Sequence, residues 1–127
     1  MKRSLIIALM AVTGWAYAAD KAEEWNETTL SEETIEKIQQ AQLSYKKCAI
    51  DAMHKAEYAK LESRRATDAV IKDCEPVLAD MRQVYVEVEV PAPVADRHLK
   101  KLRIDVTRKV LQELMYIEAA KQAGAQP

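Results

Sequence analysis

The stretch IQQAQLSYKKCAIDAMHKA, residues 38–56, decides the fold, read together with ATDAVIKDCEPVLADMRQVYVEV, residues 66–88. In the first, apolar or small side chains recur at Ile38, Ala41, Tyr45, Cys48, Ala52 and Ala56, steps of three and four that line one helix face. In the second they recur at Ala66, Val70, Cys74, Val77, Met81, Val84 and Val88, with Thr67, Asp68, Arg82 and Glu87 directed elsewhere. Facing residues of an antiparallel helical hairpin have position numbers with a constant sum, and a bond between Cys48 and Cys74 sets that sum at 122. Ala56 then faces Ala66, Ala52 faces Val70, Tyr45 faces Val77, Ala41 faces Met81 and Ile38 faces Val84. Neither series was chosen by pairing, yet every rung is apolar or small. The reading is a disulfide-closed hairpin.

Between Leu30 and Glu89 there is no glycine and one proline, Pro76, and good helix formers dominate the first half. Ser31 is placed to cap the first helix, with Leu30 and Ile35 as a hydrophobic staple, so that helix is expected over about 32–60. The bend falls at Leu61, and Ser63 is the expected cap of a second helix over about 64–89, kinked at Pro76 just past the disulfide. No glycine or proline marks that bend. The alternative is one unbroken helix that separates the cysteines by about 39 Å and forces the bond between chains, giving a crosslinked antiparallel dimer. A monomer is favoured, because closing this loop within one chain contributes roughly 3.5 kcal/mol. Val84 to Val90 also alternates as a strand does, as do Leu102, Ile104 and Val106, so a two-stranded element is a second alternative. An isolated strand pair is marginal in water, and helix is preferred.

Pro91, Ala92 and Pro93 form a stiff connector, and a third helix is expected over about 95–121. Its apolar stripe is Leu99, Leu102, Val106, Val110, Leu114 and Ile117, widened by Leu111 and Met115. Residues 123–127 read as a frayed tail. The expected fold is all-α: a three-helix bundle forming a single helical domain over 31–122, preceded by a flexible acidic arm.

The amino end reads as an export signal. Met1, Lys2 and Arg3 make a positive head, Leu5 to Trp15 an apolar stretch, and Ala16, Tyr17, Ala18 a small-x-small cleavage site, so residues 1–18 form a signal peptide cut after Ala18. The apolar stretch is well short of the ~20 residues a membrane anchor needs. No cysteine sits immediately after the cut, and the head lacks a twin-arginine pair, so unfolded transport without lipid attachment is expected. The destination is the periplasm or the outside of the cell. In a eukaryote, Asn26, Glu27 and Thr28 would read as a glycan acceptor.

The remaining 109 residues suit one core. They carry 17 basic and 20 acidic side chains, a balance that disfavours nucleic acid as a partner. An even cysteine count in an exported chain implies one disulfide, and the wide spacing excludes CxxC redox chemistry, CxxCH haem attachment and thiolate zinc clusters. Residues 19–30 form the acidic arm, with Asp20, Glu23, Glu24 and Glu27 against Lys21, and with Trp25 as a candidate recognition residue.

Candidate chemistry is sparse. Asp51, His54 and Glu57 have the spacing to share a helix surface, a weak metal candidate because a lasting site needs three or four converging ligands. His98, beside Asp96 and Arg97, reads as a surface group. No serine or cysteine has a believable base, and no glycine loop exists to hold phosphate, so neither catalysis nor a cofactor is expected. Glu32 and Glu33 are explained by the helix dipole. The feature left over is a run of cations: Arg97, Lys100, Lys101, Arg103, Arg108 and Lys109, with Asp105 the only acid among them. It reads as an anion- or partner-binding patch facing an acidic protein, an anionic envelope component or the chain's own arm. The expectation is a non-catalytic exported interaction module; a small-ligand or metal carrier is the alternative.

Overall fold

The structure, a computed structural model, describes residues 30–124. The expected signal peptide, the arm with Trp25, and residues 125–127 lie outside the described residues. The described chain is all-helical, with no strand. Helix α1 spans Glu32–Met53, α2 Ser63–Asp73, α3 Glu75–Glu87 and α4 Ala92–Gly124, and a short 3-10 turn lies at Tyr58–Lys60.

Helix α1 starts where its cap residue places it. The Ser31 hydroxyl accepts a hydrogen bond from the Thr34 backbone N–H at 3.2 Å, satisfying one of the free donors of the first turn. The helix ends at Met53 rather than near residue 60. The chain then folds over through His54, whose N–H reaches the Asp51 carbonyl, and passes into the 3-10 turn. Ala56 is therefore exposed on the turn, and the Ala56–Ala66 rung does not form. The other expected rungs hold at the level of the core: Ala52 and Val70, and Tyr45 and Val77, belong to one cluster; Ala41 and Met81, and Ile38 and Val84, to the other.

The expected second helix is two helices, so the described chain has four rather than three. Pro76 has no N–H to offer the Lys72 carbonyl, and α2 ends at Asp73. Cys74 sits at the joint with φ −96° and ψ 0°, its N–H shared between the Val70 and Ile71 carbonyls. Helix α3 then starts afresh with Pro76 in its first turn, where a missing donor costs nothing. Ser63 is not the cap of α2 either. Glu62 occupies that position, and buried Ser63 donates its hydroxyl to the Glu118 carboxylate of α4.

The Cys48–Cys74 disulfide joins α1 to that joint, with Cα atoms 5.9 Å apart. The bend at 54–62 brings together two cysteines of one chain, so the unbroken helix that would need a bond between chains does not form. On one side of the bond lies a core of Tyr45, Ala49, Ala52, Ala66, Val70, Ile71, Val106, Val110 and Leu114. On the other lie Ile38, Met81, Tyr85, Val90, Ala95 and Leu99, with Leu78 and Leu102 touching both clusters. The Tyr45 hydroxyl is buried without a hydrogen-bond partner among the described residues. Burial, reinforced by the nearby Glu75 carboxylate and opposed by Arg103, pushes its pKa up.

The strand-like alternation of Val84 to Val90 resolves as helix followed by a left-handed cap. Val90 N–H bonds the Tyr85 carbonyl and Glu89 N–H the Val86 carbonyl, both at 3.0 Å, while Tyr85 and Val90 pack in the same cluster. This is a Schellman closure, and its left-handed residue is Glu89 at φ 61°, a position that glycine normally fills. The Pro91–Pro93 connector is shorter than expected. The Pro91 carbonyl accepts from Val94 and Ala95, so α4 already begins at Ala92 with Pro93 in its first turn, and it runs on to Gly124. Along α4, Leu99, Val106, Val110 and Leu114 are buried as expected, whereas Met115 is 56% exposed.

Two stability outcomes follow. Replacing both Cys48 and Cys74 with serine should lower the unfolding free energy by roughly 3.5 kcal/mol, read from urea denaturation of the two proteins. Glu89→Gly should raise it by about 0.5–1 kcal/mol, because relief of left-handed strain outweighs the added freedom of the unfolded chain.

Candidate functional site

Helix α4 carries the expected cation patch, and the structure divides it. At 100° per residue, Arg97, Lys101 and Arg108 fall on the side of α4 opposite its buried stripe and Lys100 on the flank it shares with Arg103, and all four are exposed. Arg103 turns instead toward α3, where its guanidinium meets the Glu75 carboxylate at 2.6 Å. Lys109 lies on the opposite flank, facing α1. Lys101 is paired with Asp105 one turn on, at 3.0 Å. Arg97, Lys100, Arg108 and Lys109 have no ion-pair partner among the described residues. Because α4 starts at Ala92, even Arg97 lies beyond the first turn, where the helix dipole opposes cations most.

Two separate depressions lie along α1. The smaller, about 170 Å³, is lined by Leu30, Ile35, Ile38, Gln39, Gln42, Tyr85 and His98, contributed by α1, α3 and α4. His98 is thus half-buried rather than a surface group, its ring edge-on to Tyr85 at 6.0 Å between centroids. Asp96 pairs with Arg82 at 2.9 Å. The larger, a groove of about 800 Å³ between α1 and α4, has a floor of Ala49, Ile50, Met53, Leu102, Val106 and Val110, and a rim that includes Lys46, Arg108, Lys109 and Glu113. Early α1 faces early α4 and late α1 faces later α4, so the two helices run parallel along the groove. Sequence reasoning missed this groove. The signal was present in the i, i+4, i+7 series Lys46, Ile50 and Met53, which has no place in the buried stripe of α1.

The weak metal candidate disperses. Since α1 ends at Met53, Glu57 leaves the surface it was expected to share with Asp51, and His54 becomes the residue that closes the helix. Among the described residues no group of three histidine, cysteine or acidic side chains is placed to hold a metal ion.

Beside it stands a cluster that sequence reasoning did not single out. The Lys55 ammonium lies 2.8 Å from the Asp73 carboxylate, which also accepts a hydrogen bond from the Tyr58 hydroxyl, and Lys55 Nζ is 5.6 Å from the Tyr58 ring centre. Hydrogen bonds from Lys55 and then Tyr58 hold the Asp73 pKa below its usual value. The same contacts raise Lys55 and Tyr58, so every group is held in the charge state it has at neutral pH. The cluster ties the turn after α1 to the end of α2. Its chemistry is structural.

Comparison with protein-family models, curated proteins and solved structures finds no match for this chain. No helix among the described residues is long and apolar enough to cross a membrane.

Asp73→Asn should lower stability near neutral pH. Because the folded Asp73 pKa is depressed, its contribution is complete above the unfolded value of about 4 and is lost as pH falls through the folded value. The gap between the urea midpoints of the two proteins should therefore narrow as pH falls below the unfolded value and close once the folded carboxyl is protonated.

Proposed function

We propose that this is an exported, non-catalytic helical protein of the periplasm or cell exterior that binds an acidic macromolecule, with α4 as its contact element. The observation that carries this reading is the exposed, unpaired set Arg97, Lys100 and Arg108 on a helix about 50 Å long. Lys101 and Arg103 are neutralised by Asp105 and Glu75. Arg97, Lys100 and Arg108, which are not, leave α4 with a positive face, which favours an anionic partner and speeds its capture. Export is supported by the apparent signal at residues 1–18 and by the disulfide, a bond that persists in oxidising compartments.

A second reading, a carrier of a small apolar ligand, draws on the groove, whose 800 Å³ lies in the ~300–1,000 Å³ range of small-molecule sites. The groove's open, charged rim fits a macromolecular surface better.

Purification from the periplasmic fraction should yield a chain whose mass begins at Ala19. Used as bait in the extract from which it came, it should retain a partner that elutes with salt. Changing Arg97, Lys100 and Arg108 to glutamate should abolish that retention while leaving the helical circular dichroism unchanged. Equal recovery by both baits overturns the assignment to α4.

A further inference from the structure

We infer that the groove between α1 and α4 is the docking site for an acidic amphipathic helix of a protein partner. The inference rests on the reading above and names the structural element that the partner presents. Along α1 the groove is lined by Lys46, Ala49, Ile50 and Met53, and along α4 by residues that include Leu102, Asp105, Lys109 and Glu113. These spacings mark two parallel helices lying side by side, and a third helix packs naturally into such a furrow. From Leu102 to Glu113 it is about 16 Å long, the length of a helix of about 11 residues.

Apolar surface extends past the floor on both lips. Ile50 is 52% exposed, and Leu43, one heptad before it on α1, is 67% exposed. Tyr116, one heptad beyond Lys109 on α4, is 75% exposed and is an aromatic of the kind that anchors interfaces. A single acyl chain would leave these lips bare, whereas a helix with an apolar stripe would cover them.

Charge selects the partner's sign. Lys46, Arg108 and Lys109 on the rim have no ion-pair partner among the described residues, Asp105 is occupied by Lys101, and Glu113 alone opposes them. A helix whose apolar stripe is flanked by aspartate or glutamate would neutralise this excess. One flanked by lysine would add to it.

The test uses the exported protein and two fluorescein-labelled synthetic helices long enough to span the groove, with one leucine stripe, flanked by glutamate in one and by lysine in the other. Fluorescence anisotropy should show the glutamate peptide binding at least about tenfold more tightly. Lys46→Glu with Lys109→Glu should reverse that preference. Ile50→Lys should weaken both peptides. All three side chains are exposed, so circular dichroism should not change.

Equal affinities, or no binding of either peptide, overturn the inference. Dodecanoate binding without peptide binding overturns it in favour of a small amphiphile. Sedimentation showing that the protein pairs through this face overturns it in favour of a second copy. If the groove variants fail while partner capture still depends on Arg97 and Lys100, which lie outside the groove, only the groove assignment falls.

Discussion

The Cys48–Cys74 bond is the constraint around which the rest of the molecule is arranged. It does not join two continuous helices at an arbitrary rung; it fastens α1 to the residue where α2 gives way to α3. A break there would let the two segments swing independently, because no backbone hydrogen bond from residue 76 spans the joint. The faces meeting around it are also thin. Ala49, Ala52 and Ala66 are buried, but each removes far less apolar area from water than leucine would. The covalent link therefore stands in for packing that the alanines do not provide, and α4 adds Val106, Val110 and Leu114 from the third side.

Chain reversals in the described residues are made without glycine. At 54–62 the turn is held by Lys55 and Tyr58 converging on Asp73, and at 88–90 a glutamate adopts the left-handed conformation. At 91–93 two prolines bracket the start of α4. Each solution uses side-chain chemistry, or accepts strain, where backbone freedom would ordinarily serve.

That choice explains which features could be read from the sequence. The disulfide, the Ser31 cap, the four lower rungs of the hairpin and the main stripe of α4 follow from spacing, because a buried face must recur with the helical period. The end of α1 did not. Lys55 and Tyr58 are unremarkable in a helix, and only their meeting with Asp73 across the turn makes them a stop. In the sequence Pro76 reads as a kink, but a kink and a fresh start begin with the same missing N–H, and the torsions of Cys74 separate them. Among the candidate residues, the outward cations were legible from their spacing on α4, while Arg103 was lost to Glu75 because α3 supplies an acid that no one-dimensional pattern reveals. The groove escaped notice for a similar reason: it belongs to two helices that are far apart in the chain.

The covalent link meets the α2–α3 arm at its middle and α1 five residues from its end. Ser31 caps one end of α1 by its own hydroxyl, and the closure at Val90 seals the end of α3 with a local pair of hydrogen bonds. Neither depends on the thiols. Reduction would thus leave each helix end closed while loosening α1 from the joint between α2 and α3, so the helices would come apart from one another before they unwind.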